Sequence, residues 1–546
     1  MNRNNHIQRL REETFDLCII GAGASGAGCA LDASLRGLRT ALIDRSDCAA
    51  QTSSKSTKLV HGGVRYLEQA VMNFDFAQLR QVRHGLRERH FVLANAPHLA
   101  HPLGLVTPVF SWWEGVYFSI GLKLYDWFAA HADDLPKSRL LSRKKALQMM
   151  PGLNPAIHSA VLYYDGQLDD ARYALALVQS AEDAGAAVSN YVKVIDFQKD
   201  STGKIESAVV QDSINGHTFS IRAKAFLNCT GAGADAVRLM ANPDQERRIQ
   251  PSKGVHLVIP NVLQSEAAML IPKTKDGRVI FAVPFEGMLL LGTTDDPYGD
   301  PQKEPVLEAT ETDFLLETLQ PFLKDKVHKQ DLRAGFGGLR PLVLPRIDPT
   351  GSIKTKTMLR DHEVEFDPRS GLFSLLGGKW TTYRLMAKDA VNAVCTALGN
   401  KITCTTEQYL LHGAKGWHNR LAEELQARFG LDKAVCIHLS MKYGAFAHDV
   451  AQLCQENKEW KERILPAYPF VKGEVVYAAR VEMACTVRDF LARRVRLEIT
   501  NWEHAIEATP AVAKLLQEEL NWSSEKTEEE ISAYQALLRR FLAMKG

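Results

Sequence analysis

The chain has 546 residues, 45% of them hydrophobic and 24% charged, with a net charge of +2 at pH 7. Roughly 150 residues per domain would make about three or four units of it, and the near-neutral charge argues against a nucleic-acid binder. The nine cysteines are scattered, odd in number and without a Cys-x-x-Cys pair, which argues for a reducing compartment and against zinc.

In chain order, residues 1–13 are polar and lack an apolar signal core, so a flexible, frayed terminus and no secretion are expected. Leu17 to Ile20 then forms an apolar run suited to a buried parallel strand. It leads into Gly21-x-Gly23-x-x-Gly26. In a dinucleotide-binding turn, Gly21 bends the chain, Gly23 admits a pyrophosphate and Gly26 lets the following helix pack closely. A second strand, Thr40 to Ile43, delivers Asp44 where a ribose hydroxyl would be bound.

The stretch from Thr52, Ser53 and Ser54 to Lys58 is rich in small hydroxyl residues, a loop or helix cap able to meet phosphate or flavin oxygens. Gly62-Gly63 permits close approach to a flat ring, and Arg65 beside it is either a cation for that ring or a surface ion-pair partner. Residues 79–92 carry Arg80, Arg83, Arg87 and Arg89 at helical spacing, which reads as a solvated basic face. Wound at about 100° per residue, residues 111–130 put Trp113, Val116, Tyr117, Ile120, Leu124, Trp127 and Phe128 on one face. Such a face suits a membrane headgroup boundary. Phe118 and Leu122 lie opposite, so core packing is the competing account.

Asp169-Asp170 opens a helix that Gly185 ends, and residues 187–194 read as a strand. The 225–235 stretch repeats the strand–glycine–helix pattern around Thr230 and Gly231, placed to touch the adenosine half of the same ligand. Three strand-like segments follow, around His256, Phe281 and Leu290, and suggest a mostly antiparallel sheet. Arg340 and Arg360 each sit beside a glycine turn or strand end. A third strand–glycine–helix unit spans Gly377, Gly378, Lys379, Thr381 and Thr382. From residue 399 the pattern is helical to the end, and no run of about 18 uncharged apolar residues suggests a transmembrane helix.

Glycine-rich strand ends spread over some 360 residues fit a bound flavin better than a nicotinamide. Arg65, Arg340, Arg360 and Lys379 occur in apolar or glycine-rich surroundings, and such cations imply an anionic ligand, phosphate or carboxylate.

These motifs carry a resemblance. Gly21-x-Gly23-x-x-Gly26, Lys58 through Glu68, Phe281-Ala-Val-Pro-Phe, Gly292-Thr-Thr-Asp295, Gly338-Leu-Arg340-Pro341 and Gly377 through Arg384 resemble the FAD-dependent, quinone-linked glycerol-3-phosphate dehydrogenases of the D-amino-acid-oxidase-like flavoprotein group. Tyr477 through Arg494 is also family-like, while Trp380 replaces an expected smaller aliphatic residue. The resemblance implies an α/β plus α+β architecture: a Rossmann-like FAD-binding domain interleaved with a mostly antiparallel-sheet substrate domain over 14–398, then an all-helical domain over 399–546. The FAD parts would be about 14–95, 160–250 and 335–398. It implies oxidation of sn-glycerol 3-phosphate to dihydroxyacetone phosphate, with electrons passing through FAD to ubiquinone or menaquinone. His256 and Arg340 would be catalytic, and Arg65, Tyr66, Arg360 and Lys379 would hold the phosphate. The glycine turns, with Asp44, Thr52, Ser53, Ser54, Lys58, Lys379, Thr381 and Thr382, would hold FAD. A peripheral place on the cytoplasmic face of the cell membrane follows, with a homodimer left open. An oxidase using molecular oxygen, an amino-acid oxidase and a non-catalytic flavin binder are the alternatives.

Overall fold

The computed structural model describes residues 1–63, 76–129, 135–272, 274, 277–345 and 362–544, with side chains of 76–81 and 124–129 outside the description. The expected glycine turn sits in an eight-stranded sheet. Its main path runs His362–Phe366, Leu372–Gly377, Thr218–Asn228, Thr14–Ile20, Thr40–Ile43, Ala187–Ser189. All neighbours on that path are parallel except the first pair. The strand Thr14–Ile20 is central and covered on both faces, by helices on one and on the other by Val194, Phe197, Ile205 and Val210 of antiparallel strands together with Ile7 and Leu10. Helices Ala24–Leu35, Asp170–Asp183 and Tyr383–Leu398 contribute to the core on one side.

The second sheet has ten strands, antiparallel apart from the pairing of Ala268–Ile271 with Ala100–Val109. Its long strand Ile249–Pro260 pairs on one side with Met288–Gly292 and on the other with Ala334–Val343. Residues 335–343, expected with the FAD parts, therefore belong to this sheet instead. The strand around them matches Ile249–Val258 residue for residue, so its place is set by partner strands rather than by its position in the chain.

Two further expectations are corrected. Residues 1–13 are not frayed: Arg3–Glu12 is a helix capped by Asn2, with Ile7 and Leu10 buried. Arg3 binds Asp212 at 2.6 Å and His6 lies 2.8 Å from Glu182, so polar residues tie the segment down. The basic helix, Phe76–Asn95, is not simply solvated: Arg89 is buried in an ion pair with Asp165.

Helices dominate from Leu421 onward, as expected, yet this region shares its core with the second sheet. Val475, Phe490, Trp502 and Leu538 join the same cluster as Leu257, Leu289 and Phe336. The aromatic stretch is a helix, Trp112–Ala129, with Trp113, Val116, Tyr117 and Ile120 exposed and Leu122 buried. The side chains of Leu124, Trp127 and Phe128 lie outside the description.

Candidate active site

The glycine turn has the geometry its sequence requires. Gly21 has φ +106°, which disfavours a side chain, and a Cβ on Gly26 would fall 1.8 Å from the Gly21 carbonyl oxygen. Gly23 caps the helix Ala24–Leu35 without a side chain of its own. In its place, Ser53 Oγ accepts from Ala24 N–H at 2.9 Å. Asp44 closes the same turn: Oδ2 accepts from Ala22 N–H at 2.7 Å and Oδ1 from Ser46 N–H at 2.9 Å. Burial raises the Asp44 pKa, and those hydrogen bonds oppose the shift. Oδ1 accepts from the Ser46 hydroxyl as well, at 3.2 Å, so it is Oδ2 that keeps a second lone pair for a ribose hydroxyl.

The other glycine turns converge here. Cys229 N–H donates to Ile20 O, and a Cβ on Gly21 would meet Cys229 O at 2.8 Å, so Thr230 and Gly231 (φ +57°) abut the first turn. Thr230 Oγ1 itself donates to Asn228. The Gly378–Thr382 turn is joined from the far side: Trp380 Nε1 donates to Ser53 O at 2.8 Å, and His61 N–H to Thr381 Oγ1 at 3.3 Å. Thr382 donates to the Lys379 carbonyl, and Lys379 itself is half-buried. Gly62 meets Gly85 of the helix Phe76–Asn95, so one close approach it permits is to that helix. Gly63 is left-handed, with φ +85°.

The hydroxyls of the 52–58 loop mostly hold the loop itself. Thr52 donates to Leu339 O at 2.7 Å, and Ser54 to Gln51 O. Lys58 corrects its expected place at the cofactor: its ammonium is fully buried, 2.7 Å from Asp170 and 2.9 Å from Ser54 O. Burial pushes its pKa down to about 7.

His256 and Arg340 share one face of the second sheet. Arg340 lies opposite Ser252, and His256 opposite both Gly292 and Phe336, so period-two alternation puts all of them on the same side. Glycines floor the space between: Gly254 pairs with Gly338, and the Lys55 carbonyl lies 3.1 Å from where a Gly338 Cβ would be. The buried His256 ring stacks on Phe336 at 4.8 Å and 15°, with Nε2 3.0 Å from Thr57 Oγ1. Nδ1 is buried without a hydrogen-bond partner among the described residues. Burial, aided by the Lys58 and Arg340 cations, holds the imidazole pKa well below its usual value, so the ring is neutral at pH 7. Arg340 donates to Asp295 at 3.1 Å, Thr293 Oγ1 at 3.1 Å and Thr294 O at 2.9 Å.

The structure thus brings together the expected glycines, Asp44, the 52–54 loop, and the His256–Arg340 pair. Arg65, Tyr66 and Arg360 lie outside the described residues. Sequence reasoning missed the supports: Thr57, Asp170, Asp295 and the Trp380 donor. Asp170 read only as a helix opener, Thr57 as one hydroxyl among several in its loop, and Asp295 and Trp380 as parts of family-like motifs; neither spacing nor residue type marked any of them as partners.

Residues 16–384 match the FAD dependent oxidoreductase family, and 404–527 the C-terminal domain of alpha-glycerophosphate oxidase. The chain belongs to the FAD-dependent glycerol-3-phosphate dehydrogenase family. A glycerol-3-phosphate dehydrogenase of Bos taurus mitochondria is 41% identical over 97% of this chain and 73% of its own. A probable mitochondrial one of Caenorhabditis elegans is 42% identical over 94% and 71%. The solved glycerol-3-phosphate dehydrogenase of Bacillus halodurans, complexed with FAD, superposes with a TM-score of 0.78 at 30% identity, covering 99% of this chain and 97% of that one. FAD is the cofactor of this family member, and the site fits it: the side-chain-free turn, where a Cβ would meet backbone, and the carboxylate of Asp44 beside it are what the pyrophosphate and ribose of a dinucleotide would use.

Proposed function

We propose that this flavoprotein oxidises sn-glycerol 3-phosphate to dihydroxyacetone phosphate and passes the electrons to a membrane quinone, ubiquinone or menaquinone. The observation that carries the proposal is a neutral, buried histidine and an arginine on one glycine-floored sheet face, beside the loop that buttresses the dinucleotide turn. The names of its relatives support the substrate.

When bound, FAD supplies the hydride acceptor for C2 of the substrate. His256 takes the C2 hydroxyl proton at Nδ1, its Nε2–H donating to Thr57, because a neutral imidazole has one lone pair and one N–H. Arg340, oriented by Asp295 and the Thr294 carbonyl, stabilises the oxygen from which the proton leaves. Lys379, with Arg65, Tyr66 and Arg360, holds the phosphate. Thr52, Ser53, Thr381 and Thr382 shape the cofactor site.

A lipid-dissolved quinone requires approach to a bilayer. Supporting this, Trp113 is 66% exposed and Ile120 64%, beside exposed Trp112, Val116, Tyr117 and Leu140. No helix among the described residues is long and apolar enough to cross a membrane. These facts support a peripheral seat, and the proposal places it on the cytoplasmic face.

The test is the visible spectrum of the purified protein under anaerobic conditions. Bleaching by glycerol 3-phosphate and recovery with a soluble quinone analogue are expected. No bleaching with any polyol phosphate would refute the dehydrogenase, while rapid reoxidation by oxygen with peroxide release would make it an oxidase. Anionic liposomes should sediment the protein, and Trp113→Glu with Ile120→Glu should release it with dye reduction intact. Sedimentation unchanged by that double variant refutes this face as the membrane seat.

A further inference from the structure

The loop between Asp47 and Lys58 touches the cofactor turn on one side and His256 on the other. The C-terminal domain holds it at several points, directly or through Glu304 and Asp170. Asp47 binds Arg493 at 2.5 Å and Arg494 at 2.7 Å. Lys55 pairs with Glu304, which Arg488 also holds at 2.7 Å. Arg496, fully buried, donates through one nitrogen to Ser54 O at 2.7 Å and to Asp170 Oδ1 at 2.8 Å. The opposite oxygen of Asp170 accepts from Lys58 Nζ at 2.7 Å, Ser56 N–H at 2.9 Å and Ser56 Oγ at 2.7 Å. Asp170 is thereby a hub with Arg496 on one oxygen and the loop on the other. Between Ser56 and Lys58 stands Thr57, whose hydroxyl lies 3.0 Å from His256 Nε2.

We propose that the arginine-rich turn 488–496 is part of the active-site scaffold, with Arg496 a positioning residue that fixes loop 54–58 and, through Thr57, the ring of His256. Four features carry this. The turn Asp489–Arg494 is a π-helical stretch, a geometry frequent at functional sites, and its residues are buried throughout. Arg496 has φ +66°, uncommon for a side-chain-bearing residue and maintained only where surroundings over-determine it. The cluster balances charge: Asp169, Asp170 and Glu286 face Lys58, Lys442 and Arg496. Finally, the guanidinium of Arg496 holds the Ala492 carbonyl through one terminal nitrogen at 2.8 Å while the other holds Ser54 O and Asp170, so it ties the turn to the loop from two separated nitrogens, which a single ammonium cannot do in the same geometry. A helical domain that only covered the sheet would have no need to spend its buried arginines on this one loop.

The inference rests on the roles proposed above for His256 and the loop, so its test includes readouts that need no substrate. In the FAD-loaded protein, Arg496→Gln should slow flavin reduction by glycerol 3-phosphate about 10–10²-fold, with Arg496→Lys intermediate and the substrate Kd little changed. The visible circular dichroism of bound flavin should change. Hydrogen exchange of the 47–60 amides, measured also without FAD, should quicken while that of Ala505–Leu516 stays slow. Ser56→Ala, which removes one hydroxyl from the Asp170 hub and no charge, should give the same pattern more weakly, and serves if Arg496→Gln fails to fold. Glu519→Gln, breaking the exposed Arg480 pair, is the control and should change nothing. Unchanged loop exchange and flavin dichroism in both Arg496→Gln and Ser56→Ala would overturn the proposal, as would faster exchange with an unaltered reduction rate per bound flavin. If wild-type flavin is not reduced by glycerol 3-phosphate, the substrate reading fails, while the exchange and dichroism still decide whether Arg496 holds the loop.

Discussion

Adding one methyl at Gly292 tests the site without replacing any charged or titratable group. An ideal Cβ there lies 2.4 Å from His256 Cδ2 and 2.9 Å from its Cγ and Nε2. Carbon–carbon contacts are comfortable at about 3.5–4.0 Å, so the ring must move by about 1 Å or more. It has little room, since Phe336 stacks on it and Thr57 holds Nε2. Overpacking of this kind costs about 1–3 kcal/mol, and a misplacement of about 1 Å in a reacting group costs about 10²-fold in rate. Gly292→Ala should therefore keep its fold and FAD, lose modest thermal stability, and reduce its flavin about 10²-fold more slowly in anaerobic stopped-flow with glycerol 3-phosphate. Gly104→Ala, in the same sheet but against Leu162 and Tyr164, is the control for overpacking alone. If Gly292→Ala holds full FAD and is reduced at the wild-type rate, the His256 ring is not at the reacting centre.

Other predictions concern charge. Lys379→Met should weaken substrate binding by about 2–4 kcal/mol in titration with glycerol 3-phosphate while FAD content stays constant; normal substrate binding with lost flavin would assign Lys379 to the cofactor. His256→Gln should slow flavin reduction about 10²–10⁴-fold. Because burial, with Lys58 and Arg340, lowers the His256 pKa, wild-type kcat/KM should be level above pH 6.5 and fall only on the acid side. A base-like inflection retained in the variant would move the role to another group. His98, buried against the second half of the chain, has its pKa pushed down to about 3 by burial first, then by Arg172 and His412. The unfolded chain then binds a proton below about pH 6.5 that the native state refuses until about pH 3, so stability falls as pH drops through that window by about 1.4 kcal/mol per unit. His98→Gln should flatten the decline of the urea midpoint between pH 6.5 and 4, and an unaltered slope would refute this.

The first glycine turn was legible because its signal is local: strand, turn, helix and Asp44 follow one another within about 30 residues, and each has one geometric reason to be there. The helix 170–183 was equally plain from its Asp169 cap and Gly185 stop. What stayed hidden was long-range pairing. Asp170 read as a helix opener, yet its carboxylate gathers Ser56, Lys58 and Arg496 from far along the chain. Arg89 read as a solvated face residue because helical spacing says which residues share a face and not what lies across from it. The N-terminal helix was missed for the same reason: its polar residues find Asp212 and Glu182 only once the sheet is built.

One part of the active site was closer to legible than it looks. Ser252-x-Gly254-x-His256 and Phe336-x-Gly338-x-Arg340 each alternate, on one strand face, a side chain with none. Across a sheet, two such strands in register produce a groove, because the residues missing a Cβ leave a floor low enough for another chain to enter. In this fold they are in register, Gly254 opposite Gly338, and the entering chain is the 54–58 loop, resting by its Lys55 carbonyl on that floor. The glycines are therefore as much a part of the site as the charged residues beside them: Gly254 makes room for the Arg340 guanidinium and Gly338 for the Lys55 carbonyl of the loop, whose Thr57 lies within bonding distance of the histidine.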